Sequence, residues 1–183
     1  MNTNQTSHNL LHTFCIRPAF RFQTQGDGEE VILVVRAHPI TQIGWLINSL
    51  FILVFLLALD YFFSFFLTPF QSLFAFTFSL TIVVSYAWLN ILNWFFNVGI
   101  ITNERVVDID LHSVIYKEIT DARLERIQDI TEKAGGFFES FFDYGHLYIQ
   151  TAGGEQNIEF DSIPYPARVV KIIHELTEIN KKA

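Results

Sequence analysis

The chain has 183 residues, half of them hydrophobic, with 20 Phe, 12 Lys and Arg, 19 Asp and Glu, and a formal net charge of −7. That balance argues against a nucleic-acid partner, whose phosphates call for clustered cations, and the single cysteine, Cys15, excludes an internal disulfide framework. The apolar content is concentrated in one region: between Arg36 and Glu104 the only formal charge is Asp60.

Residues 1–28 are rich in Asn, Thr, Gln and His without periodicity and read as a flexible N-terminal leader. Residues 29–38 read as a short pre-membrane strand, with His38-Pro39 ending it because the residue before proline is held extended. Residues 39–97 then form a two-helix transmembrane hairpin, with spans at about 39–65 and 70–95 and a reversal over 64–71 that contains Pro69. Each span holds the roughly 20 apolar residues needed to cross a hydrocarbon core of about 30 Å. The first span starts too far along the chain, without a basic flank and cleavage site, to be a signal peptide. Arg17, Arg21 and Arg36 precede it and Arg105 and Lys117 follow the second span, whereas the reversal carries no Lys or Arg. Positive charge stays inside, so the expectation is a multi-pass inner-membrane protein with both termini cytoplasmic.

Residues 98–183 read as a cytoplasmic domain with its own core. Val107, Ile109 and Leu111 alternate with Asp108 and Asp110, a pattern for a half-buried strand whose acids form the wet face. Thr102-Asn103-Glu104 is a turn joining it to a strand that grows out of the second span, and residues 114–119 and 126–131 are further strand candidates, although Leu124, Ile127 and Ile130 also fit a helical spacing. The Gly153-Gly154 pair between two alternating runs marks a hairpin turn. It sets Ile149 against Ile158, Leu147 against Phe160, Tyr148 against Glu159 and Gln150 against Asn157, giving one apolar and one polar face. Pro164 and Pro166 then break the strand, and Val169, Val170, Ile173 and Leu176 form the apolar stripe of a closing helix.

The order of these parts carries a resemblance. Two spans, then Ile101-Thr102-Asn103-Glu104-Arg105, Leu124-Glu125-Arg126-Ile127-Gln128-Asp129-Ile130, Asp143-Tyr144-Gly145 and Ile149-Gln150-Thr151-Ala152-Gly153, with His38-Pro39-Ile40 at the entry, resemble the membrane-anchored bacterial pleckstrin-homology (PH)-like domain proteins. The resemblance covers residues 30–180 and implies a mainly-β, seven-stranded, two-sheet PH-like roll capped by a C-terminal α-helix. It departs at Asp110-Leu111-His112, where many relatives carry a glycine. It implies no established activity, and a fold alone does not supply one.

Residue chemistry points the same way. His8 and His12 lack a third ligand, His112, His146 and His174 lie far apart, and the glycine pairs lack the partners that phosphate cradles use. No catalytic residue, metal or cofactor is therefore assigned, and no nucleotide is expected. Residues 99–183 hold nine Lys/Arg and fifteen Asp/Glu, a net −6, which disfavours anionic headgroups as ligands. Phe137, Phe138, Phe141 and Phe142 are the candidate membrane or partner contact: two are expected to fill the core and two to cover its edge, the alternative being a wedge at the bilayer interface. Ser79, Tyr86, Asn90, Asn93 and Asn97 fall within about 60° on a helix. Of these Tyr86, Asn90, Asn93 and Asn97 are the candidate helix–helix contact or homo-oligomer seam, unless the Asn residues simply lie at the interface. Asp60 is interfacial or paired inside a bundle. The function expected is a non-enzymatic platform for an unidentified protein partner at the inner membrane, the alternatives being a component of a membrane enzyme or transport complex, or a lipid-sensing domain.

Overall fold

The computed structural model describes residues 13–18, 22, 24–111, 117–152 and 157–182. It divides into two units, residues 40–93 and residues 1–39 with 94–183. The Gly153-Gly154 turn, His8, His12, His112 and the start of the strand expected at Val114 lie outside the described residues.

The first unit is the helical hairpin. A 3-10 turn, Pro39–Gln42, leads into α1 (Ile43–Phe63), and α2 runs Pro69–Phe96. Both are long and apolar enough to cross a membrane. α1 buries no residue and α2 only Ser79 and Val83, so the apolar side chains face outward almost everywhere, unlike those of a core helix. The hydroxyls of Ser49, Thr77 and Thr81 donate to the carbonyls one turn back at 2.8–2.9 Å, which satisfies them inside apolar helices. Pro69 does not sit within the reversal as expected; it is the first residue of α2, where its missing N–H costs nothing. Thr68 and Gln71 cap that end reciprocally, Gln71 N–H donating to Thr68 Oγ1 (3.4 Å) and Thr68 N–H to Gln71 Oε1 (3.0 Å).

The second unit is a mainly-β roll. One sheet has the order β1 (Phe14–Ile16), β2 (Val31–Val35), β3 (Val98–Thr102), β4 (Arg105–Leu111) and β5 (Lys117–Arg123), with every neighbouring pair antiparallel. The other is β6 (Ile127–Lys133), β7 (Tyr144–Thr151) and β8 (Ile158–Pro164). A 3-10 turn, Leu124–Arg126, carries the chain between them, and a short helix α3 (Phe137–Phe142) lies between β6 and β7. The closing helix α4 (Pro166–Lys182) buries Val169 and Ile173 against the core of Leu33, Val35, Ile101, Val106, Leu124, Leu147, Ile149, Ile158, Phe160 and Ile163. Ile149 pairs with Ile158, Leu147 with Phe160 and Tyr148 with Glu159, as the hairpin pattern requires; the ladder begins at Ile158, so Asn157 stands outside it.

Three expectations are corrected. The strand before the membrane is not a separate segment, because β2 pairs with β3 (Val35 opposite Gly99, Val31 opposite Thr102) and supplies Leu33 and Val35 to the core. The domain is thus discontinuous, with the hairpin inserted between two neighbouring strands. Part of the leader is ordered into it as well: β1 pairs with β2, giving eight strands among the described residues rather than seven. Finally, the acids of β4 do not form its wet face. Val106 and Val107 are both buried and Asp108 is only 8% exposed, because the sheet is covered on both sides, by the main core on one and on the other by a second cluster in which Cys15 and Val31 pack with Val34, Ile100 and Val107.

Candidate functional site

The residues that flank the two helices are fixed to the domain by specific bonds. His38 N–H donates to the Ser162 carbonyl (2.7 Å), and Trp94 Nε1–H to the Ala37 carbonyl (2.9 Å). The Arg36 guanidinium lies over the Phe95 ring at 4.9 Å, a cation–π contact. Asn97, expected on a helix contact, lies beyond the end of α2, and its Oδ1 accepts the Leu111 N–H of β4 (2.6 Å). It secures the sheet. Tyr86, Asn90 and Asn93 share the less exposed side of α2 with the buried Ser79 and Val83, and Asn90 Nδ2 donates to the Tyr86 carbonyl (2.8 Å). On α1, Asp60 has a buried Oδ2 with no hydrogen-bond partner.

Beside this collar lies α3. The His38 ring stacks on Tyr144 (centroids 5.6 Å apart, planes 17°) and sits 6.3 Å from Phe142. Burial pushes the His38 imidazole below its ordinary value, so the ring is neutral at pH 7. α3 ends at Asp143, left-handed at φ 53°, whose carbonyl accepts the Tyr165 N–H (2.9 Å); aspartate tolerates that conformation better than most residues. None of its four phenylalanines is in the core, against the expectation that two would be: Phe137, Phe138 and Phe141 are 78%, 66% and 71% exposed and Phe142 is half-buried. The reason is the polarity of the helix. Glu139 is the residue turned back to the protein, with Oε2 accepting the Gly135 N–H and Oε1 3.9 Å from His146 Nε2.

On the same side of the roll, a cleft of about 100 Å³ is lined by Arg36, Asn97, Asp108, Asp110, Glu159 and Asp161, among others. Burial first, then the charges of Asp110 and Asp161, push the Asp108 carboxyl up to about 7. Asp161 also meets His146 at 2.9 Å. Among the described residues no group of three or more His, Cys, Asp or Glu side chains is placed to hold a metal ion.

At the other end of the strands, Arg105 binds Glu29 through two nitrogens (3.0 and 3.1 Å) and Asp121 through a third (3.0 Å). Hydrogen bonding to Glu29 raises the guanidinium above its ordinary value; burial works against the Glu29 carboxylate, but the bonds from Arg105 and Gly26 outweigh it and hold the carboxyl low. A cleft beside this network is lined by Glu29, Glu104, Asp121 and Glu125 as well as Arg105 and Arg123. Arg105 is therefore a structural tie between the segment just ahead of β2 and the sheet, already neutralised. Neither this tie nor the His38–Tyr144–Phe142 cluster is visible in the sequence, because each joins residues some 75 to 105 positions apart, and only the unusual run of Phe pointed toward α3.

Among protein families, that of the bacterial PH domain matches residues 40–177. The chain belongs to the bacterial PH-domain family. The match takes in the apolar hairpin, so that hairpin is part of the family pattern, while β2 lies ahead of it. Among solved structures the PH chain is similar to a DUF1696 family protein with a pleckstrin-homology domain from Shewanella loihica PV-4, at 15% identity and a TM-score of 0.37, over 44% of this chain and 70% of the other. No curated protein matches it.

Proposed function

We propose that the two apolar helices anchor this bacterial PH-domain protein in the cytoplasmic membrane with both termini inside, and that its domain is a non-enzymatic platform for protein partners. The observation that supports this reading is the insertion of two helices long and apolar enough to span a bilayer between the paired strands β2 and β3, so that an anchored hairpin holds the domain at both of its ends. Strand edges are open to partners: β6 pairs only with β7 among the described residues and presents exposed Gln128, Asp129, Glu132 and Lys133. An edge of this kind recognises an added strand through its main chain. The engagement of Arg105 and the net −6 over residues 99–183 weigh against an anionic headgroup in the role of ligand.

One observation favours a second reading, a part in a membrane enzyme or transport complex: the acidic cleft around Asp108 gathers titratable groups where the chain leaves the domain. Photo-crosslinking from Gln128 and Asp129 in native membranes separates the two. The platform reading expects a discrete protein adduct from both positions that disappears when Lys133 is replaced by Pro to block the edge. Adducts to lipid alone would contradict it.

A further inference from the structure

We infer that α3 is an interfacial wedge, with Phe137, Phe138 and Phe141 seated in the headgroup and upper acyl region of the bilayer that holds the hairpin. The inference rests on the anchoring reading above and goes beyond it by assigning the exposed aromatic surface to lipid.

The first observation is the inverted polarity of the helix. A surface helix in water turns its apolar stripe inward and its charges outward. α3 does the opposite: Glu139 bonds back to Gly135 and approaches His146, while three phenylalanines are 66–78% exposed on the outer side. They form one continuous patch, with Phe137 stacked on Phe141 (6.1 Å, 13°) and edge-on to Phe138 (5.8 Å). Contiguous aromatic surface of this kind marks a place where water is displaced by something else.

The second observation says what displaces it. The Phe142 ring at the end of α3 is 6.3 Å from the ring of His38, and the next residue, Pro39, opens the turn into the first apolar helix. Six helical residues extend only about 9 Å. The whole of α3 thus lies within about 15 Å of the point where the chain enters the apolar phase, and the headgroup layer adds roughly 5–8 Å beyond the hydrocarbon on each face. Covalent continuity through His38-Pro39 keeps the patch within reach of that layer. Aromatic rings presented by a short helix next to a crossing suit an interface that is apolar below and wet above. A wedge here, together with the two crossings, gives the domain a third point of support and fixes which strand edges face the cytoplasm.

Site-directed spin labelling of the full chain in phosphatidylethanolamine/phosphatidylglycerol nanodiscs tests this, in a Cys15→Ser background. Labels at Phe138→Cys, at Leu50→Cys in α1 and at Gln150→Cys on the polar face of β7 are compared by their accessibility to oxygen against a water-soluble nickel chelate. The wedge places the 138 label several-fold toward oxygen relative to 150, short of 50, and moves it back toward the 150 value when Phe137 and Phe141 become Ser. A 138 label as accessible to nickel as 150, with 50 in lipid, overturns the wedge and leaves the anchor standing. So does a 138 label immobilised and shielded from both reagents, the signature of a protein contact. A label at 50 that reads as aqueous sinks the anchoring and the wedge together.

Discussion

Asp108 shows how one side chain records what surrounds a strand. In sequence it alternates with Val107 and Ile109 and looks solvated; in the fold it is buried, facing Asp110 and Asp161 across the cleft with Glu118 also contributing, and its carboxyl titrates near 7. The sign of the consequence follows from linkage. The folded chain holds a proton on Asp108 that the unfolded chain has already released above pH ~4, so stability falls as pH rises from there through 7. Replacing Asp108 with Asn removes that loss. Thermal unfolding of the full chain in detergent should show Asp108→Asn stabilising by roughly 2–3 kcal/mol more at pH 8 than at pH 5, a span that takes in most of that window. Equal shifts at both pH values would mean that the carboxyl is solvated in the fold. Gly99, opposite Asp108, is held for a different reason: a Cβ there would lie 2.6 Å from the Phe160 ring and 2.9 Å from Val35, a clash that packing of the two sheets cannot relieve cheaply.

At the level of elements, the local patterns were legible and the long-range pairings were not. The β7–β8 register could be read because period-two alternation on either side of a Gly-Gly pair in the sequence fixes it within twenty residues, and the two long apolar helices because uncharged runs of that length have few other uses. Val31–Val35 is apolar at every position, a sign of a strand buried on both faces, yet nothing in it names β3 as its neighbour across the 60-odd residues of the hairpin. The burial of Asp108 was hidden for the same reason, since the cover on its face comes from β8, whose Glu159, Phe160 and Asp161 line the same cleft. The Phe run of α3 misled in the other direction: aromatic burial is the usual rule, and the exception arises where Glu139 rather than a ring is tied to the protein. The pairing has a direct test. A fragment of residues 98–183 lacks Leu33 and Val35 and exposes the β3 edge, and core truncations of a single such side chain already cost about 2–5 kcal/mol. It should fail to unfold cooperatively, whereas residues 13–38 joined by a short Gly-Ser linker to residues 95–183 should melt as one unit, because Val35 and Gly99 are already neighbours. A cooperative melt from the shorter fragment would show that β2 is dispensable.

For the whole molecule, the insertion of the hairpin within the sheet couples the two apolar helices to folding of the domain, which closes only when a chain segment from each side of them meets its partner strand. That arrangement, with the neutralised Arg105 and the acidic balance of residues 99–183, is what the proposed platform rests on, in preference to a domain that samples lipid headgroups. Its central claim is topological, and substituted-cysteine labelling in intact cells tests it most directly. Cys15 is unsuited as a reporter because it is buried between the sheet strands, so it is replaced by Ser, and single cysteines are placed at the exposed Gln150 of β7 and at the exposed Phe66 between the two helices. A membrane-impermeant maleimide should modify position 66 from outside and position 150 only after the inner face is opened. Modification of position 150 in intact cells, or of neither position until the membrane is dissolved, would contradict a cytoplasmic domain carried on a spanning hairpin.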